Sequence, residues 1–154
     1  MPASEGYGGD GWTEVRAIVL EQHRTLRMLA EATREIARAT LRGDELGLAV
    51  MPYLLLALDR AVRTQFKEEE SLVCPLLESD IGSGPTWASN LRTKHLHILG
   101  EVASLTTGGV QDAVTLARRL HALTSTLLDD LREQEETLWS GGGLRVGSVQ
   151  LGRA

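Results

Sequence analysis

Apolar residues recur every three or four positions in four long blocks of the chain, and no block shows the strict alternation of a half-buried strand. This spacing predicts four helices, over residues 13–42, 44–79, 85–105 and 110–139. Thr13 is the predicted N-cap of the first helix, and Gly43 is predicted to end it. Pro52 and Pro75 are expected to bend the second. Short loops make successive helices antiparallel, so the expected architecture is an all-α, up-down-up-down four-helix bundle.

Both ends of the chain are rich in glycine and lack a sustained period. We therefore expect residues 1–12 and 140–154 to be flexible segments that flank one bundle over residues 13–139. With 154 residues, of which 42% are hydrophobic, the chain has the size of one soluble domain with one core. The first residues lack the basic and apolar regions of a signal peptide, and no apolar run approaches the length of a membrane span.

Charge and cysteine content narrow the expected partners. The formal net charge is −5 and the basic residues are scattered, which disfavours nucleic acid and an anionic membrane surface. The single cysteine, Cys74, excludes an intramolecular disulfide and an all-cysteine metal site within one chain. These features suit a reducing cytoplasm, which is the expected location.

Each predicted helix interrupts its inward apolar stripe with polar residues. Positions three, four or seven apart share one face of a helix, so the stripes can be read from the sequence. The four stripes are Val19, His23, Leu26, Ala30 and Ala37; Leu58, Val62, Gln65, Glu69, Leu72 and Leu76; Ala88, Leu91, His95, Ile98, Val102 and Leu105; and Leu116, Leu120, Leu123, Leu127, Asp130, Gln134 and Leu138. The residues beside them, Glu68, Glu70, His97 and His121, are predicted to lie on the surface.

The polar interruptions fall at similar heights in an antiparallel bundle, because the rise per residue of a helix is constant. The sequence therefore predicts one polar layer across the core. Buried acids, amides and imidazoles need partners, and two interpretations remain open. Either the layer binds a metal ion, since histidine nitrogen and carboxylate oxygen from facing helices are ligands of iron, manganese and zinc, or it is a hydrogen-bonded layer without a metal.

The end of the second helix resembles a motif of the hemerythrin-like (HHE cation-binding) family. Residues 65–75, QFKEEESLVCP, are similar to the family segment H-F-x-x-E-E-x-x-L-F-P, with Gln65 in the place of the metal-binding histidine and Glu69 in the place of the carboxylate. His23 and His95 resemble the histidine ligands of the first and third helices. The resemblance covers residues 13–139 and implies a hemerythrin-like bundle whose polar layer holds non-haem iron.

Residues 130–139 resemble the second family segment, H-x-x-x-E-E-x-x-L-F, in one of two registers. One register puts Asp130 in the histidine place and Gln134 in the first acid place, with Glu135 as an alternative acid. The other puts Leu131 in the histidine place and Glu135 in the acid place. Either register loses a histidine. The resemblance thus implies an incomplete ligand set drawn from His23, Gln65, Glu69, His95, Asp130, Gln134 and Glu135.

The implied function is that of a metal-binding protein with a degenerate non-haem iron centre that senses or handles oxygen, nitric oxide or redox state. The centre would be mononuclear or dinuclear, and manganese or zinc are alternatives to iron. One expected arrangement is a single metal held by His23, Glu69, His95 and Asp130. The expected partners are the metal ion and a small diatomic ligand. Two rival hypotheses are an iron oxidase or oxygenase with open coordination positions and a metal-free helical interaction module.

Overall fold

The computed structural model describes residues 8–79, 82–109 and 111–138. Within these ranges the chain forms no strand and four α-helices: α1 (Gly8–Leu41), α2 (Glu45–Glu78), α3 (Gly84–Thr107) and α4 (Ala113–Thr137). Helix α1 packs against α2 and α4, and α3 packs closely against α2 and more thinly against α4. The predicted all-α four-helix bundle is confirmed. No helix in the described ranges is both long and apolar enough to cross a membrane.

Helix α1 begins earlier than the sequence predicts. It starts at Gly8, so Thr13 lies inside the helix rather than at its N-cap, and residues 8–12 are helical. The predicted flexible residues 1–7 and 140–154 lie outside the described residues.

The predicted ends of α4, Val110 and Trp139, also lie outside the described residues. The helix begins after Asp112, whose carboxylate accepts a hydrogen bond from the Thr115 N–H at 2.9 Å. Asp112 therefore acts as the N-cap of α4.

The turn between α1 and α2 uses Asp44 to end one helix and begin the next. Gly43 takes a φ of 91°, which glycine adopts at little steric cost. The Asp44 N–H donates to the Ala39 carbonyl at 3.0 Å, which closes a Schellman-type end to α1. The Asp44 carboxylate then accepts from the Leu46 N–H at 2.9 Å and caps α2. This short link places α1 and α2 side by side and antiparallel.

The buried core consists of two apolar clusters separated by a polar layer. The larger cluster contains Leu26, Ala30, Ala37, Met51, Leu55, Leu58, Val62, Phe66, Ile98, Val102, Leu105, Ala117, Leu120, Leu123, Leu127 and Leu131. The smaller cluster contains Val19, Val73, Cys74, Leu77, Ala88, Leu91 and Leu138. Trp12 and Trp87 pack against the smaller cluster.

The predicted inward stripes are confirmed for α1 and α3, where all of their residues are buried. In α2 the stripe shifts by one residue after Glu69. The buried residues there are Val73, Cys74 and Leu77, whereas the predicted Leu72 and Leu76 are only partly buried.

In α4 the stripe also shifts, since Leu131 is buried and the predicted Asp130 is partly exposed. Both shifts arise because a straight helix drifts relative to a fixed three-and-four spacing, so the inward position changes along a long helix.

Candidate metal centre

Four side chains, one from each helix, form the polar layer between the two apolar clusters. They are His23, Glu69, His95 and Gln134, with relative exposures of 0%, 0%, 1% and 6%. Buried apolar residues lie about one turn before and after each of them on its own helix, as Val19 and Leu26 do around His23. The layer is therefore enclosed by hydrocarbon on both sides along the bundle axis.

Glu69 lies between the two histidines and contacts each with a different carboxylate oxygen. The distance from His23 Nε2 to Glu69 Oε1 is 3.6 Å, and that from His95 Nε2 to Glu69 Oε2 is 3.4 Å. Both distances are too long for well-formed hydrogen bonds. One carboxylate thus stands between two imidazoles at electrostatic rather than hydrogen-bonding distance.

The Glu69 carboxyl remains ionised despite its burial. Burial alone would raise its pKa, but attraction to His23 and His95 outweighs this effect and lowers the pKa below its ordinary value. A buried negative charge between two imidazoles attracts positive charge, either as protons on the histidines or as a cation.

A carboxylate lies beside the outer nitrogen of each histidine, and in His95 it forms a hydrogen bond there. His95 Nδ1 hydrogen-bonds to Glu70 Oε1 at 2.8 Å. His23 Nδ1 lies 3.4 Å from Glu135 Oε1, and the same oxygen accepts from Arg27 Nη2 at 2.6 Å. A carboxylate partner at one ring nitrogen fixes the proton there and leaves the other nitrogen free as a ligand. Both Nε2 atoms face Glu69.

The ring plane of His95 is also fixed by an aromatic neighbour. Phe66 stacks on it with ring centroids 3.9 Å apart and an interplanar angle of 2°. Phe66 lies three residues before Glu69 on α2, so the helix that supplies the carboxylate also orients the imidazole that faces it.

Gln134 is placed by its neighbours along α4. Glu133 pairs with Lys94 of α3 at 2.7 Å, while Glu135 pairs with Arg27 of α1 at 2.6 Å. Neighbouring residues on a helix point about 100° apart, so Gln134 points into the core between α1 and α3. Its side chain also lines a pocket of about 330 Å³ between α3 and α4.

Several polar atoms of the layer are buried without a hydrogen-bond partner. Five of them are His23 Nε2, His95 Nε2, both carboxylate oxygens of Glu69 and Gln134 Oε1, and a sixth is His23 Nδ1. Each uncompensated buried polar group costs about 1–3 kcal/mol. With Nδ1 protonated, all five atoms carry lone pairs and none carries a proton, so a cation satisfies them and a further hydrogen-bond acceptor does not.

The spacing of these atoms also suits a cation. His23 Nε2 and His95 Nε2 lie 3.6 and 3.4 Å from the Glu69 oxygens that they face, so a nitrogen and an oxygen would be available to a cation on each side of the carboxylate. His23 and His95 meet different oxygens of Glu69, so each histidine forms a half-site that shares the carboxylate. No three His, Cys, Asp or Glu side chains of the described ranges gather around a single point.

Asp130 is not brought to the layer. It lies partly buried beside Lys94 and His97, and burial raises its pKa while the charge of Lys94 opposes the rise. Leu131 takes the inward position, as in the second of the two registers considered for the fourth helix. The buried layer residue is Gln134, as in the first register, and Glu135 lies beside His23. The inward stripe predicted through Asp130 is therefore corrected to run through Leu131.

Gln65 is buried with 7% exposure and lies one turn before Glu69. Its atom without a partner is the amide nitrogen Nε2, a hydrogen-bond donor. In Gln134 the unpartnered amide atom is instead the oxygen Oε1.

Two residues of the site were missed by the sequence analysis. Glu70 was assigned to the surface, yet its side chain is two-thirds buried and it hydrogen-bonds to His95. Arg27 was not singled out, and it holds Glu135 against His23. The sequence did give one reason to look for such residues, because a buried histidine has a second ring nitrogen that also needs a hydrogen-bond partner.

The fold and the layer together define a helical bundle with buried histidine and carboxylate side chains in its core. A family model described as Hemerythrin HHE cation binding domain matches residues 15–139. The chain therefore belongs to the hemerythrin HHE cation-binding domain family, as the sequence motifs predicted. No match to the chain was found among curated proteins or among solved structures.

Proposed function

We propose that this protein binds a metal ion in the polar layer and uses it to sense or handle a small diatomic ligand. The observation that carries the proposal is the position of Glu69 between two imidazoles, with His23 Nε2, His95 Nε2 and both Glu69 oxygens buried and without hydrogen-bond partners. Gln134 Oε1 is a further oxygen available from α4. Glu70 and Glu135 would hold the outer nitrogens of the two histidines.

Iron is the metal we propose, with manganese or zinc as alternatives. Imidazole nitrogen and carboxylate oxygen suit all three metals. Two nitrogens and three oxygens make a site richer in oxygen than the full ligand set implied by the family resemblance. When bound, iron would supply one-electron exchange and affinity for oxygen or nitric oxide.

Coordination positions would remain for a small ligand, because two sides of the layer supply few atoms that can coordinate a metal. Leu131 stands in the histidine place of α4 and has no ligand atom, and the unpartnered atom of Gln65 is a donor. The apolar clusters on either side exclude water along the bundle axis. These residues therefore favour a site that admits a small ligand but little solvent.

An oxidase or oxygenase is the second candidate function. The observation that favours it is the pocket between α3 and α4, which Gln134 lines together with Trp87 and Lys94. Its volume of about 330 Å³ is at the lower end of the range for small-molecule sites. Oxygen consumption that depends on an added substrate would separate this function from sensing. We expect either function to operate in the cytoplasm.

The test of metal binding is elemental analysis of untagged protein, as purified and after anaerobic loading with ferrous iron. We expect a stoichiometric metal content in the wild type. His23→Ala and His95→Ala should each abolish it, because each removes half of the nitrogen ligands. His97→Ala is the matched control, since His97 is exposed and two residues from His95. A folded wild-type protein that takes up no metal would contradict the proposal and favour a metal-free interaction module.

A further inference from the structure

A long apolar groove runs along the outside of the bundle between α1 and α2. Its volume is about 930 Å³, within the range of small-molecule binding sites. The groove exists because alanines, Ala17 on α1 and Ala57 and Ala61 on α2, occupy positions where larger side chains would fill the space. Ile18 and Leu29 supply much of the remaining apolar wall.

The groove is long and narrow. Its α1 wall runs from Ala17 to Leu29, and at about 1.5 Å per residue this stretch measures about 18 Å. Two exposed apolar side chains, Met28 and Leu56, lie within one turn of lining residues and extend the apolar surface at its rim. The shape suits an extended aliphatic chain better than a compact ring system.

Two glutamines that line the groove, partway along it and beside the polar layer, have unsatisfied amide atoms. Gln65 is more than nine-tenths buried and its Nε2 lacks an acceptor, while Gln22 Oε1 lacks a donor. The Gln22 amide nitrogen is already engaged, because it donates to Glu68. The terminal torsion of glutamine is soft, so the Gln65 amide can turn toward a ligand in the groove. A donor and an acceptor are thus available on facing helices.

The charges beside the two glutamines select against an anionic head group. Glu21 and Glu68 both line the groove there; Glu21 lies 3.9 Å from Arg24, and Arg60 lies five residues before Gln65 on α2. A carboxylate placed beside Gln65 would face two glutamates. A neutral group that both donates and accepts a hydrogen bond avoids that repulsion and satisfies both amide atoms.

We propose that the groove between α1 and α2 binds a neutral aliphatic molecule with a terminal hydroxyl group. The aliphatic chain lies along Ala57 and Ala61, and the hydroxyl accepts from Gln65 and donates to Gln22. This site is separate from the metal layer and does not require the metal.

The test is a titration of isotope-labelled full-length protein with 1-octanol, followed by two-dimensional NMR, with octanoate as the matched anionic probe. We expect saturable binding of 1-octanol, and binding of octanoate that is weaker by about tenfold or more, because the same chain then carries a charge beside two glutamates. Glu68→Gln should strengthen octanoate binding and leave 1-octanol binding within about twofold. Equal affinities for the two probes would overturn the head-group assignment.

Substitutions that fill the groove with a larger side chain test whether 1-octanol binds there. Ala61→Leu should weaken 1-octanol binding by about tenfold or more, whereas Ala122→Leu, at an exposed position of α4, should leave it unchanged. If Ala61→Leu does not fold, Ala57→Leu makes the same test at an exposed position. Gln65→Leu should weaken 1-octanol binding by about fivefold to tenfold through loss of one hydrogen bond. Absence of saturable binding, or binding that Ala61→Leu leaves intact, would overturn the proposal.

The same samples separate this proposal from metal binding. Ala61→Leu should keep the metal content of the wild type, because it fills the groove and removes no ligand. Binding of 1-octanol without metal uptake would leave the groove proposal standing and contradict the proposed function. Metal uptake without 1-octanol binding would contradict the groove proposal and leave the proposed function standing.

Discussion

The larger apolar cluster and the polar layer are equally buried, yet their side chains are satisfied to very different degrees. Leu58 and Leu120 in the cluster are fully buried among other apolar residues. His23 and Glu69 in the layer are also fully buried, but their facing atoms have no hydrogen-bond partner. Burial therefore stabilises the fold in the first region and costs free energy in the second. Such a cost is expected where a site is held ready for a ligand.

The largest effect in this comparison should come from the apolar cluster. Leu58→Ala should lower the free energy of unfolding by about 2–5 kcal/mol, because it removes buried apolar surface and leaves a cavity. Urea denaturation of the metal-free protein measures the change. Leu56→Ala on the same helix is the control, since Leu56 is 58% exposed and its loss should change stability by less than about 0.5 kcal/mol. Similar losses at both positions would contradict the placement of the cluster.

A smaller effect of opposite sign is expected in the layer. The triple variant His23→Leu, Glu69→Leu and His95→Leu replaces buried polar groups with apolar ones of similar size. It should raise the unfolding free energy of the metal-free protein by about 1–4 kcal/mol, as replacement of buried charged groups does elsewhere. Urea denaturation and elemental analysis should show a more stable protein without bound metal. A triple variant less stable than the metal-free wild type would mean that the layer stabilises the fold by itself.

The smallest effect concerns the charge of Glu69. Its pKa is lower in the folded protein, so the unfolded chain binds more protons at acid pH and stability must rise with pH in that range. In metal-free protein, the stability of the wild type relative to Glu69→Gln should fall as the pH is lowered below the ordinary glutamate pKa of about 4.3. Denaturation curves of both proteins across this range provide the measurement. A difference that grows toward acid pH would contradict the lowered pKa.

The fold and the inward faces of α1 and α3 could be predicted from sequence, because their apolar residues keep a regular spacing around His23 and His95. The register of α4 could not be decided in the same way. Asp130 and Leu131 differ by one position, and a polar residue in the stripe was expected there by analogy with the other helices. Packing decided for Leu131, whose burial in the larger cluster yields more free energy than burial of a carboxylate.

The supporting residues of the layer were harder to predict than its ligands. Glu70 is next to Glu69 on α2, and a stripe analysis assigns one of two adjacent residues to solvent. The side chain of Glu70 is long enough to reach the outer nitrogen of His95 across the α2–α3 contact. Arg27 likewise lies beside the stripe of α1 and reaches Glu135 of α4. Contacts at the edge of a helix interface depend on how the two helices are placed relative to each other. The periodicity of a single helix gives no information on that placement.

The two apolar clusters also determine how a small molecule can travel to the layer. Because hydrocarbon closes the core above and below it, diffusion along the bundle axis is blocked by packed side chains. On the sides of the bundle, Gln65 lines the α1–α2 groove and Gln134 lines the α3–α4 pocket. Each of these two cavities thus has a buried glutamine in its wall.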